Sequence, residues 1–429
     1  MSAWAAEIDR LSFEKDVLII QSTGNLKSAS PIPRPGIQEL VQNGQPYPDY
    51  LSQAACRIAN PAQSFQAMTV GSVAYGSFQF GDWRSFASQN GEPSAFSRAG
   101  LGLWESIKPD VVEYGGDCLI SGSNPPAVAV PTVARDCYPE LVRSTLHGGP
   151  AFDRDDVGTS YAAPKVTRIA AELHRVLPDE SCLLYRALIA QSARWPVWAE
   201  GLTGEQQAAL LRRIGYGLVD MGRATGNTDH RVTFITTGDT EISAGDCHIY
   251  QVRIPEQMRR PGDEYDIRVE ATLSYVAEPR RTRRTHRGYL STWVDWVSSR
   301  KDEKLDSFLT RAIKEEEDAI REGFSFGWTI ESRGHWGQIP DIRRSVGTLQ
   351  KDWAVAKSNA LPDDFCIAVS GHRGWSRDPE AAARYVMAVS FEIVGQEISI
   401  YDPLRVAVQE LQAEVEAEVQ TDTEVEIEE

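Results

Sequence analysis

Gly158-Thr159-Ser160-Tyr161-Ala162-Ala163-Pro164 opens the run YAAPKVTRIAAELHRVL, in which Val166, Ile169, Ala170 and Leu173 fall on one stripe of a 3.6-residue repeat. The pattern predicts a helix that starts at Ser160, with Pro164 in the first turn, where its missing N–H costs nothing. Ala162 and Ala163 predict close packing of that helix. A serine so placed holds its hydroxyl at the positive end of the helix dipole, and its own N–H is free to bind a developing oxyanion. The same heptad also fits an ordinary N-cap, a common role for serine before a helix. Taken alone it leaves both readings open.

Outward from this helix, residues 1–228 alternate helical and strand-like runs. Trp4, Ile8 and Leu11 fall at helical spacing, and DVLIIQ and AMTVGSVAY are short β-branched runs bounded by Gly, Ser or Asn. This is α/β layering. Beyond Gly226 the texture changes to HRVTFITTG, CHIYQVRIP, YDIRVEATLSYVA, YLSTWVDWV, FSFGWTIES and YVMAVSFEIVG, which predict strands of a mostly β, sandwich-like domain. One helix, from Leu305 to Arg321, interrupts them. The expected division is 1–228, 229–405 and an acidic tail, 406–429. Long Pro- and Gly-rich loops run from Ser28 to Pro48 and from Gly115 to Val157.

Composition excludes several classes. The 429 residues leave room for two or three domains, and 41% hydrophobic with 24% charged residues is a globular balance. No apolar run approaches the ~20 residues of a membrane span, and the first residues carry no secretory pattern. The net charge of −17 argues against general nucleic-acid binding. It is uneven, since Glu414 to Glu429 holds eight acids and no base. Six scattered cysteines without a CxxC pair or zinc spacing read as reduced thiols of a cytoplasmic protein.

At the heptad the sequence resembles the subtilisin-like serine proteases, the subtilases, whose nucleophile lies in G-T-S-x-A-x-P. Three further strings agree in the family's order: DVLIIQSTGN with the strand that ends in the oxyanion asparagine, SAFSRAG with IKPDVVEYGG, and the closing GYGLVD. The resemblance covers about half of the chain. It implies a doubly wound parallel sheet of subtilisin type lacking its N-terminal strands. It also implies Ser160 as nucleophile, Asn25 as the side-chain oxyanion donor, and Ser22, Thr23 and Gly24 lining the primary specificity pocket. Without Ser160, Asn25 reads as a turn asparagine.

Subtilases run Asp, His, Ser, with the first two ahead of the oxyanion asparagine. Ahead of Asn25 stand Asp9 and Asp16, neither in a D-[ST]-G context, and no histidine. All seven histidines follow it, and only His147, in LHGGP, lies on a loop near the nucleophile in sequence. The resemblance therefore places the triad's Asp and His in an upstream fragment. Loss of the histidine costs about 2 × 10⁶ in kcat in subtilisin itself, so the chain alone is expected to be nearly inert. The main expectation is a serine endopeptidase acting on protein or peptide substrates, with no required cofactor and no catalytic metal. Structural calcium is a family feature, but no loop identifies a site. Some intracellular relatives with β extensions occur beside ATPases, which extends the resemblance to an ATPase partner. The rival expectation is an inactive fragment that serves as a protein-binding module.

Arg280, Arg281, Arg283, Arg284 and Arg287 form a basic patch between two strand-like runs, without aromatics interleaved in sequence. A solvated hairpin tip is the simpler reading, and nucleic acid is disfavoured. Trp293, Trp296, Trp328, Trp336, Trp353 and Trp375 read as core of the β region. The terminal segment alternates Val or Ile with Glu at period two; its charge density predicts a solvated tail, with an acidic strand as the alternative.

Overall fold

Three short parallel strands carry the first half of the chain. The computed structural model describes residues 1–30, 34–130, 139–142, 155–236, 238–259, 264–282, 285–300, 303–313, 326–331, 337–396, 398–400 and 413–415. Helix α1 (Ala3–Lys15) leads to strand β1 (Ile20–Ser22). After α2 (Ile37–Gln42) come β2 (Met68–Val73), β3 (Gln79–Phe80), β4 (Trp83–Ser85), β5 (Val111–Tyr114), β6 (Leu119–Ser121) and β7 (Val128–Ala129). Helices α3 (Thr159–Val176), α4 (Cys182–Ser192), α5 (Glu205–Ile214) and α6 (Met221–Thr225) follow. The parallel sheet has the order β1-β2-β5, and β3-β4-β6-β7 is a small antiparallel sheet. Strand β2 is buried at every position, as a central parallel strand covered on both faces must be. Ala162, Ala163, Val166, Ile169 and Leu173 of α3 share a core with Met68 and Val70.

The apolar run at Val17–Ile20 corrects the expected strand. Asp16 takes a left-handed conformation (φ 48°) that ends α1, and the Ser12 hydroxyl bonds the Val17 carbonyl at 2.9 Å. Residues 17–19 are spent on leaving the helix, so pairing is regular only from Ile20, opposite Met68. Among the described residues β1 pairs with β2 alone, which leaves its other edge open.

The second half is antiparallel. It comprises β8 (Arg231–Ile235), β9 (Thr240–Ser243), β10 (Cys247–Arg253), β11 (Asp266–Val276), α7 (His286–Tyr289), β12 (Thr292–Ser298), α8 (Leu305–Ile313), β13 (Leu349–Lys357), β14 (Asp364–Arg373), β15 (Ala382–Val394) and β16 (Ala413–Val415). One sheet runs β12-β14-β10-β16 and the other β13-β11-β15-β8, with β9 also on β15. Val269, Leu273, Val294, Trp296, Ile367 and Phe391 come from both sheets and share one apolar core. The opposite face of the β11 sheet meets α4, whose residues Leu183 to Ser192 are all buried. That sheet is therefore covered on both faces.

A further expectation changes. In FSFGWTIES the described residues 326–331 form no strand, because Gly327 (φ +88°) and Glu331 (φ 66°) turn the chain. Phe326 and Trp328 instead set their rings against Phe365 and Trp296, at centroid distances of 5.1 Å. The helix expected to reach Arg321 is described to Ile313, and its remainder lies outside the described residues. Of the acidic tail, Ala413–Val415 pairs with Ile249–Cys247, and the rest lies outside them. Among the described residues no helix is long and apolar enough to cross a membrane.

Candidate active site

Helix α3 begins at Thr159, with Gly158 as its N-cap residue, so the helix has no side-chain cap of its own. Asn25 supplies one from across the fold. Its Oδ1 accepts from the Thr159 N–H at 3.0 Å and from the Thr159 hydroxyl at 2.8 Å. With the carboxamide oxygen so engaged, the Asn25 NH₂ group is left as a donor beside the helix terminus. Ser160, second in the helix, is exposed, as is Asn25. A helix leaves its first four N–H groups without intrahelical partners, and that of Ser160 is one of them.

Pro164 corrects the sequence reading of the helix start. It is the sixth helical residue, in the second turn, so its missing N–H matters. The carbonyl it would have bonded, four residues back, is that of Ser160. The exposed serine thus sits where the helical ladder lacks a bond.

The four strings singled out in sequence meet around this point. Thr23 N–H donates to Val70 O at 2.9 Å, Gly24 O accepts from Arg98 N–H at 3.2 Å, and Leu26 N–H donates to Phe96 O at 2.8 Å. The STGN turn therefore lies against β2 on one side and the FSRAG segment on the other. Gly24 takes φ +89°, a conformation that glycine adopts without strain. Ser22 and Gly24 are half-buried, whereas Thr23 is fully buried and its hydroxyl has no partner among the described residues. In the IKPDVVEYGG string, Lys108 and Asp110 form a buried ion pair at 2.6 Å, and Asp110 also accepts from Thr69 N–H. The closing string runs beside β5 through the Val112 N–H bond to Gly217 O at 2.9 Å.

Gly115 and Gly158 are packed backbone to backbone. Gly158 N–H donates to Gly115 O at 2.8 Å. A Cβ on Gly115 would lie 2.5 Å from Gly158 O and 2.4 Å from Ser72 Oγ, and one on Gly158 would lie 2.9 Å from Asn25 Nδ2. Gly115→Ala is therefore expected to destabilise the fold by about 1–3 kcal/mol and to displace the turn that carries Ser160. A urea midpoint equal to that of the wild type would contradict this. Two residues on, Asp117 is buried and accepts from Ala87, Ala95 and Cys118 N–H groups. Burial pushes its carboxyl up to about 7.

Among the described residues no histidine hydrogen-bonds Ser160. His174 lies on the same helix, about 21 Å along it at the usual rise, and pairs with the Tyr185 hydroxyl. His248 meets Tyr385, His372 meets Asp295, and His230 meets Ile398 O. His147 lies outside the described residues. Asp9 serves the fold, accepting from Ser64, Gln66 and Tyr289, and Asp16 accepts from Cys182 N–H. Among the described residues no group of three or more His, Cys, Asp or Glu side chains is placed to hold a metal. Thr159, Gly115 and Gly158 are not among the site residues that the sequence predicts. The Thr159 signal was the residue type itself, a hydroxyl at the first helical position.

The sequence profile of the subtilase family matches residues 1–217. An uncharacterized protein of Sinorhizobium fredii, y4bN, is 34% identical over 303 residues, which are 67% of this chain and 65% of that protein. The chain thus spans about two-thirds of the length of that relative. Among solved structures, MycP1 of the ESX-1 type VII secretion system is 20% identical over 49% of this chain and 43% of its own, with a TM-score of 0.25. The serine protease of Aeromonas sobria is 12% identical over 78% of this chain and 66% of its own, with a TM-score of 0.21. With the family profile matching half of its length, this chain belongs to the subtilase family.

Proposed function

We propose that this chain carries the nucleophile and the oxyanion donors of a serine endopeptidase. The observation that supports this most directly is the bond from Thr159 N–H to Asn25 Oδ1, which keeps the Asn25 NH₂ group and the Ser160 N–H at one helix terminus. In this reading Ser160 Oγ attacks the scissile carbonyl carbon while its proton passes to a histidine. The carbonyl oxygen gathers negative charge between Asn25 Nδ2 and the Ser160 N–H. Collapse breaks the C–N bond, the histidine returns the proton to the leaving amine, and water then releases the acyl group. The histidine and the aspartate that orients it are supplied by chain upstream of Met1, and Ser22, Thr23 and Gly24 line the pocket for the substrate side chain. Residues 1–228 form the partial catalytic domain and 229–405 a β-rich, sandwich-like domain. The chemistry needs no cofactor, and the substrates are proteins or peptides in the cytoplasm.

Fluorophosphonate labelling of the complete protein tests the assignment. The probe is expected to add to Ser160 and to leave Ser160→Ala unlabelled. Equal labelling of both would remove Ser160 from the mechanism. No labelling of either, with the upstream Asp and His present, would favour the binding module.

A further inference from the structure

The arginines of the patch after β11 acquire aromatic partners in space that the sequence does not show. The Arg280 guanidinium lies 5.0 Å from the ring centre of Trp375, and that of Arg287 lies 4.6 Å from Trp293. Trp293 is itself stacked on His372 at 3.9 Å. Both tryptophans are thus covered on a face by an arginine, and Trp293 by a histidine as well. They hold guanidiniums in place, and Trp293, between Arg287 and His372, offers little ring for base stacking.

Beside them is a cavity of about 680 Å³ whose lining includes Thr282, Thr285, Arg373, Trp375, Ser376 and Arg377. Arg373 and Arg377 are exposed. Arg280, Arg281, Arg287, Arg373 and Arg377 make no ion pair with a carboxylate among the described residues. Asp378, the nearest acid in sequence, accepts from the N–H of Glu380 in its own turn. Two guanidiniums and three hydroxyls line the cavity, Arg280 stands over its Trp375 and Arg287 adjoins its Gly288, and among the described residues none of these arginines has a carboxylate partner, which makes a site for carboxylates in an otherwise acidic protein.

The chain carries a matching segment. Residues 416–429 hold seven carboxylates and no base. Extended, Glu416 and Glu418, and again Glu424, Glu426 and Glu428, fall on one side. Strand β16 runs antiparallel to β10 with Val415 opposite Cys247, and Cys247 lies opposite Ser370 of β14. Strand β16 therefore ends at Val415 on the side of the sheet where β14 delivers Arg373. Three strand spacings, about 14 Å, separate β16 from β12. Fourteen extended residues reach about 46 Å.

We propose that the arginine cavity between α7 and the end of β14 is a docking site for an extended acidic peptide, and that its occupant in this chain is the segment 416–429. An acidic partner would then gain the site only by displacing that segment.

The test uses the full chain with Glu416, Glu418, Glu424, Glu426, Glu428 and Glu429 changed to Gln and Asp422 to Asn. A fluorescein-labelled peptide, EVEAEVQTDTEVEIEE, is titrated by anisotropy. It is expected to bind this variant with an affinity that falls as salt rises. The wild type should bind it at least ~10-fold more weakly, because its own segment competes at high effective concentration. Adding Arg373→Glu and Arg377→Glu to the neutralised chain should weaken binding by more than ~10-fold, and Arg377→Ala alone by less, with near-UV circular dichroism unchanged. Equal binding to wild type and neutralised chain, or binding indifferent to both arginine variants, would overturn the proposal. Tighter binding of labelled (dT)15 than of the peptide would overturn it in favour of a nucleic acid.

Discussion

Asn25→Asp is expected to leave the unfolding midpoint of the chain at or above that of the wild type while lowering kcat of the complete protein by about 10²–10³ or more, the first figure being one established on a subtilisin itself. The two effects separate because the two ends of the carboxamide do different things. Oδ1 caps α3 through Thr159 N–H and its hydroxyl, and an aspartate oxygen can accept both bonds with added favour from the helix dipole. Nδ2 is the donor proposed for the oxyanion, and aspartate replaces it with a negative charge. Asn25→Ala removes both functions. It should lose a comparable amount of kcat and also about 0.5–2 kcal/mol of stability, the usual worth of a cap. The readouts are the rate of phosphonylation by the fluorophosphonate, kcat on a peptide, and the urea midpoint. If Asn25→Asp retains a tenth or more of wild-type kcat, Asn25 is not the oxyanion donor. If it unfolds as easily as Asn25→Ala, the cap across the fold is not what holds α3.

The parts of this site that sequence made legible are those set by short-range chemistry. A small-residue run at the start of an amphipathic helix, and an asparagine closing an apolar run, can each be read from neighbours within one turn. Thr159 could not be assigned as the partner of Asn25, because 134 residues separate them and a threonine at a first helical position has many uses. Pro164 falls in the second turn and not the first, and the helix begins one residue ahead of Ser160, because its boundary is set by Gly158 and its packing on Gly115, a contact between distant glycines.

Strand β13 was missed for a different reason. Gln350, Lys351 and Asp352 are successive polar residues and show no strand pattern, yet all three are buried. Gln350 Nε2 donates to Val294 O at 2.7 Å, Lys351 Nζ to Gln191 O at 3.1 Å, and Asp352 accepts from Ile330 and Glu331 N–H groups. Alternation identifies a strand with one wet face. It fails where both faces are covered and the buried polar groups are satisfied by partners far away in sequence. The arginine patch shows the same limit, since Trp375 lies 95 residues from Arg280.

The second large effect is expected at Glu270, where α4 meets the β11 sheet. Its side chain is 1% exposed and is surrounded by Arg194 at 2.9 Å, Arg268 at 3.1 Å and Lys351 at 3.2 Å. Arg194 is shared with Glu392, which Arg231 also approaches at 3.5 Å. Burial alone would push the Glu270 carboxyl up, but Lys351, Arg268 and Arg194 together outweigh it and hold the group well below the usual range. A carboxyl lowered in the folded state adds stability above its unfolded pKa of about 4.5, and that stability is lost as pH falls through the folded value. Glu270→Gln leaves three cations facing a neutral group, and is expected to cost about 3–5 kcal/mol at pH 7 by urea unfolding. The difference from wild type should shrink as pH falls below about 4.5. Glu270→Leu combined with Lys351→Met should recover part of the loss, because a buried pair carries its own desolvation cost. The consequence reaches the site, since Arg194 N–H donates to Leu218 O at 2.9 Å and Leu218 N–H returns the bond at 2.8 Å, within the GYGLVD string beside β5. Loosening this cluster should therefore also slow labelling of Ser160 in molecules that remain folded. A Glu270→Gln chain within 1 kcal/mol of wild type at pH 7 would show that apolar packing of α4, and not this cluster, fastens the two halves.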